Sequence, residues 1–146
     1  KDIGFLPGTL EEKAQPWALP VLDVLVKHLG RGAVDTGLKA GNIEVATLAL
    51  MRGRSFDDAF IIVDEAQNIE IPEIKMLLTR VGEGSTIVLN GDIHQSDLKG
   101  TSGLAKIIHL SKKYMLDAPV VEFGIDDIVR SGICAEWVKV FMKEGL

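Results

Sequence analysis

Asp64 and Glu65 stand side by side at the end of an apolar run, in the stretch FIIVDEAQN over residues 60–68. A second apolar run, in STIVLNGDIHQ over 85–95, ends in Asn90, Gly91 and Asp92, with Gln95 three residues further on. An apolar strand followed by Asp-Glu is the Walker B arrangement. Mg²⁺ bound to nucleotide phosphates keeps most of its waters and takes one or two protein carboxylates. Asp64 is the candidate for the magnesium shell. Glu65, pointing differently, is the candidate for orienting or polarising an attacking water. Gly91 permits a close backbone approach, and Gln95 offers an uncharged amide to a γ-phosphate or a water. The bland alternative is that Asp64 and Glu65 end a strand and cap the next helix, and that Gln95 is a solvated turn residue. Two such tips in one small sheet favour a magnesium–phosphate site. Phosphoryl transfer needs positioning and charge compensation rather than a protein nucleophile. No Ser/His/Asp or Cys/His set suggests otherwise. His28, His94 and His109 lack metal-ligand spacing and read as surface or cap residues, with His94 placed to reach a ligand beside Gln95.

These residues need elements to position them. The runs at 59–63 and 85–91 are short, apolar on both faces and separated by a helix, the form of strands in a covered parallel sheet. Pro72 at a helical first turn starts a helix of roughly 71–81, with Ile74, Leu77, Leu78 and Val81 on its apolar face. Further strands are expected at 43–46 and 119–124. Helices are expected at 103–113 and from Asp126 to Lys143 with a break at Gly132. Near the start, Thr9 and Glu12 form a capping box, Pro16 and Pro20 predict a break near Gln15, and Leu19, Leu22, Val26 and Leu29 predict a helix over 18–29. Residues 30–42 hold four glycines and read as a mobile connection or short lobe. The sum is an α/β fold, a three-layer, mostly parallel sheet with helices on both faces, in a single domain over 1–146. Ligands bind such sheets at the carboxyl ends of the strands, where both tips lie.

Composition narrows the function classes. The chain has 146 residues and a net charge of −5. That balance argues against a purely electrostatic nucleic-acid binder. Residues 61–100 carry seven acidic and three basic groups, so most of the negative excess lies in the segment bearing the two tips. No apolar stretch approaches the roughly 20 residues of a membrane span. One cysteine, Cys134, excludes an internal disulfide and reads as a small packed hydrophobe; a cytoplasmic setting is expected. Trp17 and Trp137 read as packing residues. Lys112-Lys113-Tyr114 reads as a solvated helix end, with RNA contact as the alternative.

The motifs DEAQN and LNGDIHQSDL resemble the PhoH-like family, P-loop nucleoside triphosphatases related to the core of superfamily 1 helicases. The likeness extends to GFLPGTLEEK, IEVATLALMRGRSFDDAFIIVDEAQN, MLLTRVGEGS and DDIVRS, in the family's order. The resemblance implies an ATPase using Mg²⁺, acting on or regulated by RNA or single-stranded nucleic acid, and assembled as a homo-oligomeric ring. It implies that Asp64 and Glu65 form the Walker B pair and that Gln67 is the Gln of the DEAQ box, placed for nucleotide or phosphate. It implies that Gly91, Asp92 and Gln95 sense the γ-phosphate. Arg52, Arg54 and Arg130 match basic positions that meet phosphate, RNA or a neighbouring subunit's nucleotide, and the alternative for each is a carboxylate partner within the chain.

One departure is plain. The phosphate cradle G-x-x-x-x-G-K-[ST] does not occur in these residues. In the family it lies upstream of the segment matching GFLPG, and Lys1-Asp2-Ile3-Gly4 reads as an interior start. The expectation is a fold incomplete at its N-terminus, in which these 146 residues bind ATP weakly or not at all. Two other functions remain open: a non-catalytic binding module of the same fold, motivated by the missing cradle, and a metal-dependent nuclease built on Asp64, Glu65 and Asp92.

Overall fold

A computed structural model of the chain describes residues 10–98, 100–129 and 131–145. Thr9 of the expected capping box and Arg130 lie outside them, as does the side chain of Trp17. Contacts divide the chain into two compact units, Lys1–Ala105 and Lys106–Leu146.

The first unit opens with two helices packed on each other, α1 (Leu10–Leu29) and α2 (Arg31–Ala40). The expected break near Gln15 does not occur. Pro16 and Pro20 each lack the N–H that would bond four residues back, yet the helix runs on through both. His28 lies in the last turn of α1, where a basic residue meets the helix carbonyls. The glycine-rich stretch after it is a helix rather than a loose connection. Val34, Gly37 and Leu38 face inward at helical spacing, and the side chain of Ile43 fills the space where a Gly37 Cβ would be. Gly41, at φ 76°, ends α2 in the left-handed conformation, and the N–H groups of Asn42 and Ile43 donate to the Gly37 carbonyl at 2.9 and 3.1 Å. Residues 43–46 form no strand and lead directly into a short helix, α3 (Leu48–Met51).

The α/β core follows. Strands β1 (Phe60–Val63) and β2 (Thr86–Leu89) pair in parallel, Phe60 opposite Thr86 through Val63 opposite Leu89. Between them run a 3-10 turn (Ala66–Asn68) and helix α4 (Ile71–Leu78), a crossover of the βαβ kind. α4 starts where Pro72 needs no N–H partner and the Glu73 carboxylate accepts from the Glu70 N–H at 3.1 Å. Ile74 and Leu77 on α4 are fully buried, with Ala66, Ile69 and Leu104 completing the apolar floor under the strand tips. Along each strand exposure alternates. Ile61, Val63, Ile87 and Leu89 face inward, while Phe60, Ile62 and Val88 stay exposed, Phe60 at 70%. The α/β class therefore holds, with a parallel sheet of two strands among the described residues.

Helix α5 runs over Gly103–Tyr114. Residues 119–124 form no strand. Backbone groups without a ladder need other partners: at the end of this stretch the Asp127 carboxylate accepts from the Gly124 N–H at 2.7 Å, and just before it Ser111 Oγ donates to the Ala118 carbonyl at 3.0 Å. Lys112 pairs with Glu122 at 2.8 Å and Lys113 lies over the Tyr114 ring, so this exposed helix end is tied locally. After a 3-10 turn (Ile125–Asp127), helix α6 begins at Gly132, where a break was expected, and runs over Gly132–Glu144. Trp137 is not a buried packing residue; it is exposed and stacks on Phe141 with centroids 5.6 Å apart. Cys134 is a half-buried free thiol on α6. No helix among the described residues is long and apolar enough to cross a membrane.

Candidate functional site

The parallel ladder continues past both strands and ties their tips together. The Asn90 N–H donates to the Val63 carbonyl at 2.8 Å, and the Ala66 N–H donates to the Asn90 carbonyl at 2.9 Å. The backbone thus brings Asp64 and Glu65, after β1, beside Asn90, Gly91 and Asp92, after β2. Asp64 is exposed, and its Oδ1 accepts from Asn90 Nδ2 at 2.8 Å. That contact occupies one carboxylate oxygen of Asp64.

Glu65 takes a left-handed backbone, φ 52° and ψ 34°, uncommon for a residue with a side chain. This turn separates its carboxylate from that of Asp64 and drops the chain into the 3-10 turn, where Gln67 is 3% exposed. Gln67 Nε2 donates to Glu65 Oε2 at 2.7 Å, and its Oε1 accepts from the Asp92 N–H at 3.1 Å. The close approach that Gly91 permits is to this same amide, since a Cβ there would stand 2.4 Å from Gln67 Oε1.

The segment after β2 is folded on Asp92. Its Oδ1 accepts from the His94 N–H at 2.9 Å, and its Oδ2 accepts from Gln95 Nε2 at 3.0 Å. His94 and Gln95 are exposed. Two residues not singled out in the sequence hold the segment down: Ser96 Oγ donates to the Gln67 carbonyl at 2.9 Å, and Asn68 Oδ1 accepts from the Asp97 N–H at 2.8 Å. Asn90, Asn68 and Ser96 could have been flagged as polar residues flanking the two acidic tips. Their pairing depends on β1 lying next to β2.

The arginines behave differently. Arg54 donates through Nη1 and Nη2 to both carboxylate oxygens of Glu44, at 2.5 and 2.9 Å, and its guanidinium lies over the Phe56 ring. Phe56 bridges to Val81 at the amino end of the strand pair, so the structure does not bring Arg54 to the tips. The hydrogen bond from Arg54, opposed by slight burial and aided by its charge, holds the Glu44 carboxyl below its usual value. Arg52 is exposed at the end of α3, and Arg130 lies outside the described residues. Among the described residues no group of three His, Cys, Asp or Glu side chains able to hold a metal comes together.

The result is an α/β protein with carboxylates and amides gathered at the carboxyl ends of adjacent parallel strands, the position where such sheets bind ligands. The sequence model of the PhoH-like protein family matches residues 1–142, and the chain belongs to that family. It is 44% identical over 138 residues to Protein PhoH of Escherichia coli K12, covering 92% of this chain and 39% of that protein. It is 41% identical over 147 residues to the PhoH-like protein of Bacillus subtilis, covering 99% of this chain and 46% of that protein. It is 41% identical over 143 residues to the PhoH-like protein of Mycobacterium tuberculosis H37Rv, covering 97% and 40%. The chain thus spans less than half the length of these curated relatives.

Proposed function

We propose that the protein hydrolyses ATP with Mg²⁺ at the tips of β1 and β2. The observation supporting this most strongly is the joining of Asp64-Glu65 to the Asp92–Gln95 segment by the Ala66–Asn90 backbone bond and the Gln67 amide. In this reading Asp64 would hold the magnesium ion, whose bound form supplies charge compensation for the phosphates. Glu65 orients a water toward the γ-phosphorus and takes up its proton as the bond to the β–γ bridging oxygen breaks, releasing orthophosphate. Gln95 keeps a second amide N–H beyond its bond to Asp92, and this donates to a γ-phosphate oxygen. Gly91 and Asp92 set the backbone of that segment. Arg130 and Arg54 remain candidates for phosphate or RNA through family likeness, Arg54 only if it leaves Glu44.

RNA or single-stranded nucleic acid as regulator or substrate, a homo-oligomeric ring and a cytoplasmic setting belong to the same proposal. They rest on family membership and, for the last, on the single cysteine. The experiment is phosphate release from ATP by the full gene product, with and without Mg²⁺ and with and without single-stranded RNA. Magnesium-dependent release supports the enzyme, and a change on adding RNA supports the partner. No release under any of these conditions leaves the non-catalytic binding module as the better reading.

A further inference from the structure

Gln67 uses every polar atom of its side chain within the protein. Its Nε2 meets Glu65 Oε2 at 2.7 Å, its Oε1 meets the Asp92 N–H at 3.1 Å, and the side chain is 3% exposed. The amide can sit only one way round, because a carboxylate only accepts and a backbone N–H only donates. The backbone carbonyl of Gln67 also accepts from Ser96 Oγ at 2.9 Å. Gly91 leaves room for this amide, since a Cβ there would stand 2.4 Å from Gln67 Oε1 and 3.0 Å from its backbone nitrogen.

We propose that Gln67 is a positioning residue, a buried strut that fixes the Glu65 carboxylate to the Asp92–Gln95 segment so that the two move as one. Gln67 keeps a second amide N–H, but at 3% exposure it has little access to a bound phosphate. The strut instead makes the orientation of Glu65 depend on how the segment after β2 is seated. This rests on the ATP-hydrolysing reading of the same site. The Q67E substitution separates the two ends. It keeps an acceptor for the Asp92 N–H but sets a second carboxylate against Glu65, where two like charges repel.

The test compares the full gene product with its Q67A and Q67E variants in two measurements. One is steady-state Mg-ATP hydrolysis, and the other is hydrogen exchange of the Asp92 amide. For Q67A, kcat falls on the order of 10-fold or more with KM changed less than about threefold, the mark of lost positioning rather than lost binding. Asp92 exchange also accelerates in Q67A. For Q67E, Asp92 stays protected while kcat still falls. Wild-type kcat in both variants, or a raised KM with unchanged kcat, overturns the strut and restores the phosphate contact. Unaccelerated Asp92 exchange in Q67A overturns it as well. If Q67A fails to fold, Q67E alone decides on both readouts. If the wild-type protein releases no phosphate, the ATPase reading fails by itself, and the strut stands or falls on Asp92 exchange.

Discussion

A left-handed backbone costs a residue with a side chain about 1–2 kcal/mol, and Glu65 carries that conformation at the centre of the site. The benefit is geometric: the turn divides two adjacent carboxylates between different partners, Asn90 for Asp64 and Gln67 for Glu65. Gly91 is the complementary requirement. G91A should destabilise the fold by about 1–3 kcal/mol, because the added methyl meets Gln67 and Leu104 Cδ2, two groups inside the packed floor. Urea unfolding reads this directly, and an unchanged midpoint would show that the floor yields. Arg54 and Glu44 give a pH-dependent counterpart. The Glu44 carboxyl is held below its usual value, so its contribution is present above that value and lost as pH falls through the lowered one. Both groups are more than a third exposed, so E44Q should cost at most about 1 kcal/mol near neutrality. That difference from wild type should vanish in urea titrations run in acid. Asp64, Glu65 and Gly91 were legible in the sequence because contiguous residue types announce them. The burial of Gln67 was not, because it depends on the turn at Glu65 and on β2 arriving alongside.

Elements were legible where the signal is local and self-contained. FIIV and TIVL are contiguous apolar runs, and both are strands of one parallel pair. The start of α4 is marked by Pro72 and by Glu73 reaching back to the Glu70 N–H. Its core face is equally plain. I74A should cost about 2–5 kcal/mol, since Ile74 is fully buried under the tips. Thermal or urea unfolding would show this, and a loss below about 1 kcal/mol would mean that the floor collapses freely around the cavity. Elements whose fate depends on distant partners were harder to read. Four glycines disguised α2, although Val34, Gly37 and Leu38 at helical spacing and Gly41 as a left-handed stop were available signals. Residues 119–124 have strand-like composition, yet they join no ladder, and the Gly124 N–H donates to the Asp127 carboxylate instead. α1 runs through two prolines although each lacks a backbone donor.

At the scale of the whole molecule, one face of the strand pair leaves Phe60, Ile62 and Val88 exposed, and the chain spans less than half the length of its curated relatives. The 146 residues carry Asp64, Glu65 and Gln95 but no G-x-x-x-x-G-K-[ST] cradle. Calorimetry on these residues alone should therefore give no micromolar Kd for Mg-ATP, since backbone N–H groups and a lysine of that cradle hold the phosphates in such enzymes. A micromolar Kd would mean that the strand tips and arginines suffice. In the proposed mechanism Glu65 acts on the attacking water. The most direct measurement is phosphate release by the full gene product carrying E65Q, with its Mg-ATP affinity determined in the same preparation. The expected result is turnover reduced by about 10²-fold or more, as for loss of a general base, with affinity essentially unchanged. Hydrolysis at the wild-type rate would contradict it.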